Sequence, residues 1–238
     1  MNFSLIIPCF NEAKNIPLLI DKYRDFIKGK NNQLILVNNG STDNTHTIFK
    51  NLKKKNIKTH NIKKNIGYGY GLKRGIKVAD GKVLIFSHAD LEVNPKDIIK
   101  SIKIYEKQNL NIKKKIFIKG HRVNKIKNYW TFMDIIFSYG LTIICSLIFR
   151  KKLYDIHAQP VLFNKEILKK IKYFPNDFSV DLVFYLYAKQ LNYEIIRFPV
   201  NFNKKKRVHG IGNSGTIIKK FHSSLEQFVQ CFVILFKL

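Results

Sequence analysis

Four short apolar runs, each stopped by turn residues, recur through the first half of the chain at Leu5 to Pro8, Gln33 to Val37, Lys58 to Ile62 and Val83 to Phe86. Helix-like stretches lie between them, and runs of this length alternating with helical patterns predict the βαβ rhythm of a parallel sheet. Ile16, Leu18, Leu19, Ile20, Tyr23, Phe26 and Ile27 keep helical spacing, with Asn15 as a cap candidate and Pro17 near the start, so one helix is predicted there. Asp43 to Leu52 and Tyr70 to Val78 read as the next two helices, each entered from a loop rich in Gly, Asn, Ser or Thr. In open sheets of this kind, loops that lead into helices are where nucleotides bind.

The second half predicts a strand at Ile116 to Lys119, a long apolar stretch from Tyr129 to Phe149, a short strand at Val161 to Phe163, a helix from Ser179 to Gln190 and a strand from Glu194 to Val200. The tail keeps Leu225, Phe228, Val229, Phe232, Val233 and Phe236 at helical spacing and predicts an amphipathic or partly buried helix. No internal repeat is present. With 238 residues, 45% of them hydrophobic, the chain is long enough for one α/β domain with a substantial core.

A net charge of +27 directs attention to anionic partners: nucleic acid, an acidic lipid surface or a phosphorylated small molecule. The charges are spread along the chain rather than gathered with aromatics, and no nucleic-acid reader motif occurs, so a basic nucleic-acid-binding module is not expected. Cys9, Cys145 and Cys231 are far apart and set among apolar residues, a pattern that fits neither a disulfide framework nor a zinc site and predicts a reducing cytosol. Met1 leads directly into the strand-like Phe3 to Pro8 without the features of a signal peptide, which again leads to the expectation of a cytoplasmic chain.

Chemistry concentrates where the strand Val83 to Phe86 stops at Ser87-His88-Ala89-Asp90-Leu91-Glu92. Strand-like alternation would turn His88, Asp90 and Glu92 to one side and Ala89 and Leu91 to the other. Mg²⁺ and Mn²⁺ prefer oxygen ligands and commonly bind through one or two carboxylates plus substrate phosphates, so Asp90 and Glu92 suit a metal-diphosphate. A pair of acids capping the helix after Asn94-Pro95 is the other reading of the same residues. Gly67, Gly69 and Gly71 stand at alternate positions ahead of a helix and can bring backbone N–H groups close to a ligand, or simply make a tight turn. They do not form a dinucleotide fingerprint.

Ile6-Ile7-Pro8-Cys9-Phe10-Asn11-Glu12, Leu36-Val37-Asn38-Asn39-Gly40-Ser41-Thr42-Asp43, Asn65 to Gly71 and His88-Ala89-Asp90 follow one another in order. Together they resemble the family-2 inverting glycosyltransferases of GT-A fold, and within them the group similar to dolichyl-phosphate mannose synthase and bacterial polyprenyl-phosphate glycosyltransferases. The resemblance covers nearly the whole chain. It implies a Rossmann-like, mixed but mostly parallel sheet flanked by helices, with interfacial amphipathic helices in the C-terminal half. It also implies a catalytic domain over residues 1–215, divided into a nucleotide-sugar half (1–120) and an acceptor half (121–215), followed by an amphipathic helix over 216–238.

Carried over by position, the resemblance assigns the metal, Mg²⁺ or Mn²⁺, to Asp90 and Glu92. The nucleotide sugar falls to Pro8, Phe10, Asn11, Glu12, Asn39, Gly67, Gly69, His88, Ala89, Asp90, Arg122 and Arg207. Arg122, Asp155 and Asp181 become the catalytic candidates: Arg122 and Arg207 on the leaving diphosphate, whose charge grows as the sugar bond breaks, and Asp155 and Asp181 toward the acceptor. A solvated basic loop is the other reading of Arg207, and a helix N-terminal acid that of Asp181. Departures are informative too. His88 replaces the usual first acid of an Asp-Ala-Asp triplet, Asn38-Asn39 replaces an acid pair, and Gln159-Pro160 replaces Gly-Phe.

A lipid phosphate acceptor is already ionised and needs no strong base, whereas a saccharide hydroxyl would have to give its proton to Asp181 or Asp155. Tyr129 to Phe149 is long enough to span a bilayer but is interrupted by Asp134, Ser138, Gly140, Thr142 and Ser146, and reads as an interfacial helix, with a buried core helix as the alternative. With Lys151, Lys152 and the basic tail it would rest on an anionic membrane surface. The expectation is thus a peripheral enzyme on the cytoplasmic face of the membrane that takes a nucleotide-diphosphate sugar and a lipid-phosphate or glycan acceptor.

Overall fold

The computed structural model describes residues 2–109, 115–128, 130–202 and 217–238, with side chains from residue 224 onward in the last of these. Seven strands form one sheet: β1 (Phe3–Cys9), β2 (Asn32–Asn39), β3 (Ile57–Ile62), β4 (Val83–Phe86), β5 (Ile116–Arg122), β6 (Val161–Asn164) and β7 (Glu194–Val200), in the order β3-β2-β1-β4-β6-β5-β7. β1 pairs in parallel with β2 and β4, β2 with β3, and β5 with β7, while β6 runs antiparallel to β4 and β5. The mixed, mostly parallel GT-A sheet is therefore present.

Register collects the site on one edge. Phe86, the last residue of β4, is opposite Val161, the first of β6, and Arg122 at the end of β5 is opposite Val200 at the end of β7. The C-terminal ends of β1, β2, β4, β5 and β7 and the N-terminal end of β6 consequently face the same way. The chain order reverses beside β1, where β2 and β4 take opposite sides, and that switch point is where a doubly wound sheet opens a crevice for a ligand.

Eight α-helices are described: α1 (Asn15–Lys22), α2 (Arg24–Lys28), α3 (Thr45–Asn51), α4 (Tyr68–Lys77), α5 (Pro95–Glu106), α6 (Phe132–Ile148), α7 (Val180–Gln190) and α8 (Ile217–Lys237). The single helix predicted from Ile16 to Ile27 is broken at Tyr23, whose φ of −93° and ψ of 9° leave the helical region. Alternate residues of the buried strands enter opposite layers. Ile6, Ile35 and Leu84 pack with α4 and α7, whereas Leu5, Ile7, Leu34 and Ile85 pack with α1, α2 and α5. Complete burial on both faces explains why these strands read as continuous apolar runs.

α6 begins with a capping box in which the Thr131 hydroxyl and the Asp134 carboxylate each accept the other residue's backbone N–H. It packs against α8, and the Cys145 and Cys231 sulfurs lie 3.2 Å apart in that contact. Among the described residues, no helix is long and apolar enough to cross a membrane.

Candidate active site

At the ends of β1 and β2 two loops are locked together. The Asn11 N–H donates to Ser41 Oγ at 3.0 Å, Asn11 Oδ1 accepts the Thr42 N–H at 2.8 Å, and the Glu12 N–H donates to Thr45 Oγ1 at 3.2 Å. The Glu12 carboxylate also accepts from the Asn15 amide. Asn11 and Glu12 thus shape the crevice wall, beside an exposed Phe10.

The two asparagines ending β2 differ. Asn38 gives its amide N–H to Asn61 and takes the Ser41 N–H, so both ends are used structurally. Asn39 gives its amide N–H groups to the Gly67 carbonyl at 3.0 Å and to Asn65 Oδ1 at 3.3 Å, but its own Oδ1 is buried without a hydrogen-bond partner. An orphaned buried acceptor costs about 1–3 kcal/mol, and a ligand donor is one way to recover that.

Gly67 and Gly69 stand hard against neighbouring backbone. A Cβ at either would come within 2.3 Å of the Asn176 or Pro175 carbonyl oxygen, and Gly67 has a φ of 128°. Their bare backbone lets α4 dock on the loop before α7, where the Tyr70 N–H donates to the Asn176 carbonyl at 3.0 Å. Gly71 is the glycine next to the crevice: a Cβ there would stand 3.0 Å from Pro8 Cβ and 3.3 Å from Asn39 Cγ.

Past Phe86 the strand alternation predicted for His88, Asp90 and Glu92 fails. The chain bends instead of extending, Leu91 takes a φ of 63°, and Glu92 is buried with Ala89 and Leu91 while His88 and Asp90 are half-buried. Among the described residues no group of three His, Cys, Asp or Glu side chains gathers closely enough to hold an ion, so these three do not converge as expected. The helix-cap alternative is also displaced, because α5 is capped by Asn94, whose side chain accepts the Lys96 N–H, with Pro95 in its first turn. Asp90 is steered by the Glu92 N–H, which donates to its Oδ1 at 3.1 Å. One half-exposed carboxylate at a strand end suits a hard cation that keeps several waters and draws its other ligands from phosphates.

His88 enters an aromatic group. Its ring centroid is 5.2 Å from Tyr68 and 6.3 Å from Phe202, and Tyr68 is stacked on Phe178 at 4.9 Å. The Tyr68 hydroxyl is buried without a hydrogen-bond partner.

Arg122 and Asp155, assigned above to the diphosphate and the acceptor, are partners of each other. The Arg122 backbone N–H donates to Asp155 Oδ2 at 2.7 Å, Arg122 Nε to Oδ1 at 2.6 Å, and Nη2 to the same oxygen. Both side chains are less than a tenth exposed. Burial pushes the Asp155 carboxyl up, but the charge and hydrogen bonds of Arg122 outweigh it and leave the pKa at about 2. Arg122 Nη2 also reaches Ser138 Oγ on α6 at 3.2 Å, and the guanidinium lies over Trp130 at 4.8 Å and Phe202 at 5.8 Å. Nη1 takes no part in these bonds.

Asp181, in the first turn of α7, is almost wholly buried. Its Oδ1 accepts from Gln159 Nε2 at 3.1 Å, and its Oδ2 lies 3.4 Å from His157 Nδ1. Burial alone would raise its pKa, yet His157, Lys119 and His88 together hold it below the ordinary carboxylate value. Lys119, inside β5 and fully buried, donates to the Ile156 and Ala158 carbonyls at 2.6 and 2.8 Å, and burial pushes its pKa down to about 8. It pins the segment from Asp155 to Pro160 against the sheet, where the Gln159–Pro160 peptide is cis.

Sequence reasoning named these segments but gave no role to Tyr68, His157, Gln159 and Lys119. Gln159 was noted only as a departure from the Gly-Phe of the resembled family, and Lys119 only as the end of a predicted strand. Arg207 lies outside the described residues.

Residues 4–172 match the family model described as glycosyl transferase family 2. Relatives include a dolichol-phosphate mannosyltransferase of Pyrococcus furiosus, 26% identical over 87% of this chain and 58% of its own length. A dolichyl-phosphate beta-glucosyltransferase of Dictyostelium discoideum is 26% identical over 84% and 66%, respectively. A dodecaprenyl-phosphate galacturonate synthase of Rhizobium johnstonii is 24% identical over 72% and 50%. The chain thus spans between half and two thirds of the length of these relatives. A solved glucosyl-3-phosphoglycerate synthase of Mycobacterium tuberculosis, in complex with Mn²⁺, UDP and phosphoglyceric acid, superposes with a TM-score of 0.72 at 13% identity, covering 98% of this chain and 78% of that one. It is a likeness of fold. The family model covers most of the chain, and the chain belongs to glycosyl transferase family 2.

Proposed function

We propose that this family-2 glycosyltransferase moves a sugar from a nucleotide-diphosphate sugar, with inversion, onto a polyprenyl phosphate at the cytoplasmic face of a membrane. One observation carries the choice of acceptor: both acids expected to face it are engaged, Asp155 by Arg122 and Asp181 by Gln159 and His157. A phosphate arrives ionised and needs no carboxylate base, whereas a saccharide hydroxyl does. The named lipid-phosphate acceptors of the relatives support the same choice.

The donor would lie in the crevice beside β1. Asn39 Oδ1 accepts a base N–H, the loops of Asn11 and Glu12 wall the nucleoside, and His88 stands where the diphosphate and sugar meet. Asp90, backed by Glu92, would hold Mg²⁺ or Mn²⁺, which neutralises charge on the diphosphate; the solved structure of a Mn²⁺ and UDP complex supports this in the fold. Arg122, kept rigid by Asp155 and Ser138, steadies the leaving β-phosphate with Nη1, a role that the family resemblance also gives to Arg207. An acceptor phosphate oxygen attacks the anomeric carbon from the opposite side as the nucleoside diphosphate departs.

The acceptor's lipid finds a matching surface. Phe132, Ile136, Tyr139, Ile143 and Leu147 form an exposed stripe along α6, and Leu225, Val229, Phe232 and Phe236 form another on the adjacent α8. Arg150, Lys151 and Lys152, exposed just beyond α6, suit anionic headgroups. A thermal-shift panel of UDP-, GDP- and dTDP-sugars with and without Mn²⁺ tests the donor side: one donor should raise Tm only when the ion is present, and Asp90→Ala should remove the shift. Equal binding by Asp90→Ala and the parent would reject the metal assignment.

A further inference from the structure

Asp181 is the acid that family likeness points toward the acceptor, yet it is sealed inside the protein. The group that carries it outward is His157. This ring is held at both nitrogens: Nδ1 lies 3.4 Å from Asp181 Oδ2, and Nε2 lies 3.2 Å from Oε1 of Gln227 on α8. Its side chain is 23% exposed, against 2% for Asp181. His157 and Gln227 also line a small cleft between α6, α7 and α8, whose other walls include Leu141, Cys145, Leu182 and Cys231.

The hydrogen-bond chemistry narrows the ligand. A ring facing two oxygen acceptors can give a proton to each only as imidazolium; a neutral ring requires Gln227 to turn its amide N–H inward. In the first state Asp181 supplies the compensating charge behind the ring, and Lys119, bonded to the carbonyls on either side of residue 157, fixes the backbone. A cation backed by a buried carboxylate, with a neutral amide oxygen in front, is a place for an anionic oxygen to replace that amide.

We infer that His157 binds a phosphate oxygen of the acceptor in the position held by Gln227 Oε1, with Asp181 as a positioning residue and α8 as a displaceable cover. The inference rests on the lipid-phosphate reading above and assigns its acceptor site to a residue that reading uses only to engage Asp181.

Steady-state kinetics with a short-chain polyprenyl phosphate provide the test, alongside direct nucleotide-sugar binding. His157→Gln should raise the acceptor KM roughly tenfold or more, the size of one hydrogen bond to a charged group, with donor affinity unchanged, which also reports that the variant is folded. Gln227→Ala, which uncovers the ring, should lower the acceptor KM. A His157→Gln acceptor KM within about twofold of the parent, well under one such bond, overturns the inference, as does a Gln227→Ala loss as large as that of His157→Gln. A parent that binds donor but transfers nothing to the polyprenyl phosphate overturns both this inference and the acceptor reading beneath it.

Discussion

Arg122 and Asp155, 33 residues apart, meet through backbone and side chain at once, so that a single carboxylate fixes both the end of β5 and the guanidinium beyond it. Folding holds Asp155 at about pKa 2, below its ordinary value of 3.8. A depressed folded-state pKa contributes stability above the unfolded value that is lost as pH falls through the folded one. The window is therefore from about pH 4 down to about pH 2, and the contribution is about 2 kcal/mol. Chemical denaturation of the parent should show that loss across the window, and Asp155→Asn should lack it. Asp155→Asn should also be less stable by about 3 kcal/mol at pH 7, because the guanidinium stays buried without its counter-charge. An unchanged pH profile in Asp155→Asn would contradict this account.

The glycines of the loop into α4 should separate by phenotype. Gly67→Ala combines a φ of 128° with a collision against the Asn176 carbonyl, so thermal unfolding should show a drop worth a few kcal/mol, about 2–4. Gly71→Ala lies in a helix, where alanine is intrinsically favoured by about 1 kcal/mol, yet its methyl group presses on Pro8 and Asn39. Its Tm should stay near that of the parent while nucleotide affinity falls.

For Asn39 the orphaned Oδ1 predicts a recognition role. Asn39→Ala should weaken binding of the preferred nucleoside diphosphate several-fold, corresponding to about 1 kcal/mol for one hydrogen bond. Calorimetry with UDP and GDP would show it. Unaltered affinity for both would remove Asn39 from the base site.

Membrane association should depend on the α6 stripe and not on the core. Ile143 and Leu147 are 59% and 73% exposed, so Ile143→Asp with Leu147→Asp should leave Tm almost unchanged. Sedimentation with anionic vesicles should fall sharply for that double variant. Equal sedimentation of variant and parent would place the contact elsewhere.

Much of the sheet was legible because strands buried on both faces advertise themselves: β4 and β7 occur at the predicted bounds, and the others differ by a few residues at their ends. The site was legible only as segments. Alternation assumed that the strand continues beyond Phe86, but a left-handed Leu91 turns the chain, which buries Glu92 and leaves Asp90 to meet solvent. Pairings such as Arg122 with Asp155, or His157 with both Asp181 and Gln227, join residues 24 to 70 positions apart and leave no local signal. Whether Asn39 offers its amide nitrogen or its oxygen was likewise settled by Gly67 and Asn65, which lie on another loop.

The most direct measurement is sugar transfer itself, with the parent protein, Mn²⁺, a panel of nucleotide sugars, and two acceptors offered side by side: a polyprenyl phosphate and a hydroxyl-bearing glycan. One donor should yield a polyprenyl phosphate sugar of inverted anomeric configuration, with no product on the glycan. Transfer to the glycan alone, or a retained configuration, would contradict the account.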